Sequence, residues 1–134
     1  NYDDMSTLRV DRIAHITVLN ERRKPLREIK GYQQQRTFNV SQYVKEHIYM
    51  FGGESITVTF KAKRSIVNQI LDWFDGNVEF TNITADNVVC RVRVNHDAFK
   101  YWALQYMQSV KVLTPASLVT EVKAAIEEGL HQYS

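Results

Sequence analysis

From residue 55 onward, apolar and polar side chains follow two periods in turn. In residues 55–63 (SITVTFKAK), Ile56, Val58, Phe60 and Ala62 alternate with Thr57, Thr59, Lys61 and Lys63, the period of a strand buried on one face. The next stretch gathers Ile66, Val67, Ile70, Leu71 and Phe74 on one helical face, with Ser65 as a candidate cap and Asp75-Gly76 as the stop. Strands are predicted near 78–84 and 87–94, with Asp86-Asn87 in the hairpin turn between them. Asn95 is placed to cap a second helix that turns Phe99, Trp102, Ala103 and Tyr106 inward. SVKVL reads as a further strand, and Pro115 suits the first turn of a last helix bearing Leu118, Val122, Ala125, Ile126 and Leu130. The order over 55–113 is thus β-α-β-β-α-β, the ferredoxin-like split βαβ arrangement, with a helix added at its C-terminal end.

The chain ahead of this module is patterned less regularly. Residues 40–51 place Val40, Tyr43, Val44, Ile48 and Phe51 on one helical face, closed by Gly52-Gly53. Residues 20–37 are basic and carry Pro25, Gly31 and three consecutive Gln, the composition of a solvated connector. Residues 7–19 (TLRVDRIAHITVL) are rich in Val, Ile and Thr; alternation breaks near Arg12-Ile13, so two short strands or one bulged strand are expected.

Strand parity gives the first functional clue. With Ile56, Val58 and Phe60 turned toward the helices, Thr57, Thr59, Lys61 and Lys63 face away. With Cys90, Val92 and Val94 turned in, Arg91 and Arg93 face away beside Val89, and Lys111 joins them on the fourth strand. Five cations then share one surface, opposed mainly by Glu79. Such a face can hold a nucleotide or a nucleic-acid backbone, or it can be an ordinary solvated sheet face. It lacks the base-stacking aromatics of an RNA-recognition sheet, because Phe60 has the wrong parity.

Composition narrows the classes. The chain has 134 residues, 15.6 kDa, 44% hydrophobic and 24% charged residues, room for one domain or slightly more. The net charge of +2 excludes an indiscriminate polyanion binder, yet residues 1–40 hold eight Lys or Arg against five Asp or Glu, and the other 94 hold nine against ten. A single cysteine, Cys90, forms no internal disulfide and no cysteine cluster, and its inward parity makes it a core thiol. His15, His47, His96 and His131 lack metal-ligand spacing, and no phosphate loop, nucleophile elbow or metalloprotease helix is present. No enzyme activity, metal or cofactor is therefore expected. Without a leader or a long apolar run, a cytoplasmic protein with no membrane partner is expected. The start at Asn1 reads as a piece cut from something longer.

Arg9-Val10-Asp11-Arg12-Ile13 resembles the closing strand of a WYL domain. The rest of the chain is similar to the WYL C-terminal extension: a Phe-led segment from Phe38 to Phe51, the ferredoxin-like module, and an aromatic helix entering VKVLTPASLVTEV. The resemblance implies a bacterial transcription regulator, in which a winged helix-turn-helix precedes an SH3-like WYL barrel and this extension. The expected fold is α+β: a ferredoxin-like βαββαβ module with an added C-terminal helix, preceded by a short β segment left from that barrel. The expected boundaries are 1–20 for the WYL strands, 21–53 for the basic connector and short helix, and 54–134 for the extension. The resemblance also implies effector sensing and dimerisation. Arg9 and Arg12 are the first candidates for anion contact, guanidinium being suited to bidentate grip of phosphate, followed by Lys61, Lys63, Arg91 and Arg93. The expected partners are a second copy of the chain and a nucleotide or single-stranded nucleic acid, with a DNA operator reached only through the helix-turn-helix domain absent from this chain. A purely structural dimerisation module and an RNA-binding accessory remain as alternatives.

Overall fold

The computed structural model describes residues 10–25, 28, 39–50, 52–74 and 76–134. Four antiparallel strands, β1 (Ser55–Lys63), β2 (Val78–Ile83), β3 (Asn87–Asn95) and β4 (Val110–Thr114), form one sheet in the order β2-β3-β1-β4. The crossovers are α2 (Val67–Phe74) after β1 and α3 (His96–Gln105) after β3, and α4 (Ala116–His131) is appended. This is the α+β, ferredoxin-like order that the periodicity predicts.

Alternation fixes which side chains form the core. Val58, Phe60 and Ala62 of β1, Val88, Cys90, Val92 and Val94 of β3 and Val112 of β4 are buried. They form one cluster with Ile70 and Phe74 of α2, Ala98, Phe99, Trp102 and Ala103 of α3, and Leu118 and Val122 of α4. Its centre is aromatic: the Trp102 ring lies edge-on to Phe74 at 4.8 Å and to Phe60 at 5.4 Å, and Phe60 lies 5.2 Å from Phe99. Each such ring removes enough apolar area from water for roughly 4–6 kcal/mol of transfer free energy, before conformational entropy is set against it.

The central ladder is regular, running from Ser55 opposite Asn95 to Lys63 opposite Asn87. Each outer ladder contains a register shift. Thr59 opposes Thr114 while Phe60 opposes Val112, leaving Leu113 as the extra residue on β4. Phe80 opposes Cys90 while Asn82 opposes Val89, leaving Thr81 as the extra residue on β2.

Ahead of β1 the structure departs from the expected single helix over 40–51. α1 (Val40–Glu46) starts at Asn39, whose side chain accepts from the Gln42 amide at 3.0 Å, and it stops after Glu46. A 3-10 turn, Ile48–Met50, follows across a kink with Tyr49 at φ 60°. The stop has a cause in His47, which is buried with its ring nitrogens 2.9 Å from the Tyr43 carbonyl oxygen and 3.1 Å from that of Gly53. The kink delivers Ile48 to the core, while Val40 and Val44 stay exposed rather than forming the expected buried face. Phe51 lies outside the described residues.

Asn95 joins this segment to the module. Its Oδ1 accepts from the Ala98 amide at 3.0 Å, the predicted cap of α3, and its Nδ2 donates to the Gly52 carbonyl at 3.0 Å. The connection passes close by: a Cβ on Gly53, at φ +107°, would sit 3.6 Å from that Nδ2. Two other predicted caps differ. Arg64–Ile66 forms a 3-10 turn, so Ser65 does not cap α2, and Pro115 occupies the cap position of α4 rather than its first turn.

The expected β segment at 7–19 is not realised among the described residues. Val10–Arg12 is a 3-10 turn, and residues 13–19 belong to no strand. A strand persists through inter-strand hydrogen bonds, and neither edge of the sheet pairs with this segment. Ile16 and Val18 accordingly remain exposed.

Candidate functional site

Helices α2 and α3 cover one sheet face, and the other face carries the charges that parity assigned to it. Lys61, Lys63, Arg91, Arg93 and Lys111 are all exposed. The register sorts them into rows across the sheet. One row runs Glu79, Arg91, Thr59; the next toward the β1 C-terminus runs Asn82, Val89, Lys61, Lys111. Thr57 opposes Arg93 at one end, and Lys63 opposes Asn87 at the other.

The five cations do not form one uniform patch. Arg91 donates through Nε and a terminal nitrogen to the same Glu79 oxygen, at 3.2 and 2.8 Å. Arg93 reaches Glu46 of α1 at 3.5 Å, and its backbone carbonyl accepts from the Asn77 side chain. Both arginines therefore have a carboxylate partner, although a pair as exposed as Arg91–Glu79 adds at most about 1 kcal/mol. Lys61, Lys63 and Lys111 have no ion-pair partner among the described residues. Lys61 and Lys111 oppose each other directly across the β1–β4 ladder. Side chains so placed have Cβ atoms roughly 5 Å apart, where like charges are destabilising.

The unneutralised potential thus lies at the lysine end of the sheet face, not along the Arg91–Arg93 strand. Periodicity located Lys61, Lys63 and Lys111; it could not show Glu46, which comes from α1 and has no register relation to β3. Arg12 lies in the exposed 3-10 turn and makes no hydrogen bond or ion pair with the sheet-face residues. Arg9 lies outside the described residues.

Little else on the described surface suggests reaction chemistry. Cys90 is fully buried, and burial pushes its thiol up to about 11. His96 sits between two carboxylates, Nδ1 at 3.0 Å from Asp97 and Nε2 at 3.2 Å from Glu121, and Lys100 reaches Glu121 at 3.3 Å. The contacts to Glu121 tie α3 to α4. Among the described residues no group of three or more His, Cys, Asp or Glu is placed to hold a metal, and no helix is long and apolar enough to cross a membrane.

The family model of the WCX domain matches residues 52–130, more than half of the chain and all of the ferredoxin-like module. The chain belongs to the WCX-domain family. That family accompanies WYL-type regulators and is regulatory rather than enzymatic, in keeping with the likeness to the WYL C-terminal extension. No curated protein matches the chain. Within the WCX module, the open sheet face brings several cations together, and its three lysines stand without counter-charges among the described residues.

Proposed function

We propose that this WCX module serves a transcription regulator by recognising an anionic effector, a phosphate-bearing nucleotide or a single-stranded nucleic acid, on the lysine end of its open sheet face. The observation that carries the reading is the direct opposition of Lys61 and Lys111, with Lys63 beside them and no carboxylate paired to any of the three among the described residues. A phosphate bridging two opposed ammonium groups turns their repulsion into attraction. Asn82 and Thr59, flanking on the same face, supply neutral hydrogen-bonding groups for the rest of the ligand. Arg9 and Arg12, the pair that the family resemblance implies, form a second candidate set on the leading segment. In the whole regulator, effector binding favours one arrangement of a dimer, and the operator is contacted by a DNA-binding domain outside this chain.

The test is a titration of this chain with a short single-stranded oligonucleotide and with a nucleoside triphosphate over a range of salt. Lys61→Ala with Lys111→Ala should weaken oligonucleotide binding at least tenfold and reduce the salt slope by about 0.7 per lost contact. Arg91→Ala with Arg93→Ala should change it far less, since both are already paired. Equal loss in the two variants would mean a diffuse field rather than a site, and no loss in either would remove the sheet face from the function.

A further inference from the structure

Given the anion reading of the open face, on which this rests, we propose that Glu46 is a stop that limits how long a ligand that face accepts. The cations follow the central strands in successive rows. Lys63 stands opposite Asn87, Lys61 opposite Val89 with Lys111 beyond it, Thr59 opposite Arg91, and Thr57 opposite Arg93. Rows on one face are two residues apart, about 6.7 Å, so the track from Lys63 to Arg93 runs for about 20 Å. At its first end Arg64 leaves the sheet for a 3-10 turn and donates to the Thr84 carbonyl at 3.4 Å. At its other end the strands themselves set no limit. The limit comes from α1.

Two carboxylates meet the track, and they differ in their freedom to leave it. The Glu79 side chain, on the outer strand β2, is 60% exposed, so a phosphate lying over the Arg91 row can turn it aside into water. The Glu46 side chain is only 14% exposed. Its Oε1 accepts from Gln42 Nε2 at 2.5 Å and lies 3.5 Å from Arg93 Nε. The chain on either side of it is held. His47 follows directly, buried with its ring nitrogens against the Tyr43 and Gly53 carbonyls, and Ile48 then enters the core. Lys45 passes close over Gly76, where a Cβ would come within 3.1 Å of its Nζ. A phosphate arriving at Arg93 therefore meets a like charge that is already seated and cannot withdraw without lifting α1.

The usable track is the part from Lys63 to Arg91, two row spacings or about 13 Å. At about 3.4 Å per stacked nucleotide, this accommodates about four nucleotides, and fewer of an extended strand. A ligand of that length never reaches Arg93 and is indifferent to Glu46. A longer one overhangs the track and gains no further contact. Glu46 thus determines specificity for length, by a repulsive element placed at the end of an attractive row.

The experiment compares two oligodeoxyadenylates, one about four nucleotides long and one about ten, titrated onto the 134-residue chain over a range of salt. The salt slope counts phosphate contacts and is insensitive to the extra registers open to a longer strand. The unaltered chain should give the same slope at both lengths. Glu46→Gln, which keeps an acceptor for Gln42, should steepen the longer strand's slope by about 0.7, one contact, and leave the shorter strand's slope unchanged. Adding Arg93→Ala to it should return the longer strand to the original slope. Arg93→Ala alone, which leaves α1 unaltered in sequence, should change neither slope. Glu79→Gln removes the same charge from the Arg91 row and should act on both lengths alike. Slopes that already differ with length in the unaltered chain overturn the proposal. So does a Glu46→Gln effect equal at both lengths, a gain that survives Arg93→Ala, or a shallower slope in Arg93→Ala alone. If Lys61→Ala with Lys111→Ala leaves binding of the shorter strand intact, the anion reading falls and the stop falls with it; if that loss is seen but the length results fail, only the stop falls.

Discussion

The covered and open faces of the sheet are built from alternate residues of the same strands, yet they constrain their side chains in opposite ways. On the covered face Phe60 and Cys90, with Trp102 of α3 packed over Phe60, are fully enclosed in one cluster. Size and shape matter there, and a change costs stability whatever its effect on binding. On the open face Lys61, Lys111, Arg91 and Glu79 are exposed, and their charges add to one surface potential. One face therefore holds the module together while the other is free to be shaped by what it meets. Like charges directly opposed across a ladder are an arrangement that folding stability alone does not favour.

The sharpest way to break this contrast is to find a covered-face change that is cheap. Trp102→Ala should not be one: it should lower unfolding free energy by about 3–5 kcal/mol, read as a fall in the denaturant midpoint at unchanged slope. Asn95→Ala, at the seam between the helical layer and the strap at residues 52–54, should cost about 1–3 kcal/mol, because it removes the cap of α3 and strands the Gly52 carbonyl. Cys90 gives the covered face a pH signature. Its thiol is raised from 9.0 to about 11, so the folded form holds the proton more tightly than the unfolded form. That contribution is complete below pH 9 and is lost as the pH rises toward 11; a Cys90→Ala variant should show a flatter decline over the same window in denaturant melts. The smallest effect should carry the opposite sign. Lys111→Glu should raise stability by about 0.2–1 kcal/mol by turning an opposed like pair into an opposed unlike one, while abolishing oligonucleotide binding. If Lys111→Glu instead destabilises, the two faces are not energetically separate.

Much of this architecture was legible in the order of residues. Period-two alternation in 55–63 and 87–94 fixed the parity of the central strands, and with it the exposed set Lys61, Lys63, Arg91 and Arg93. Asn95 was recognisable as a cap because its side chain acts on an amide three residues away. Its second role was not, since Gly52 is 43 residues distant. The opposition of Lys61 and Lys111 needed the β1–β4 register, which the shift at Leu113 displaces. The pairing of Arg93 with Glu46 depended on where α1 comes to rest, and that depended on His47 and the kink at Tyr49. The predicted β segment at 7–19 shows the limit from the other side. Val, Ile and Thr make the segment competent for a strand, but a strand also requires a neighbour to bond with.

The two register shifts have a consequence for how the molecule behaves among its neighbours. Both extra residues, Thr81 and Leu113, fall on the outer strands, and the regular ladder lies between β1 and β3 inside. An outer strand with an even row of free amides and carbonyls is a template on which another molecule's strand can polymerise. Here each row is interrupted by a bulge, and β4 is only five residues long. Concentrated solutions of the protein should accordingly resist fibre formation and seeding, with the sheet closed to growth at both margins.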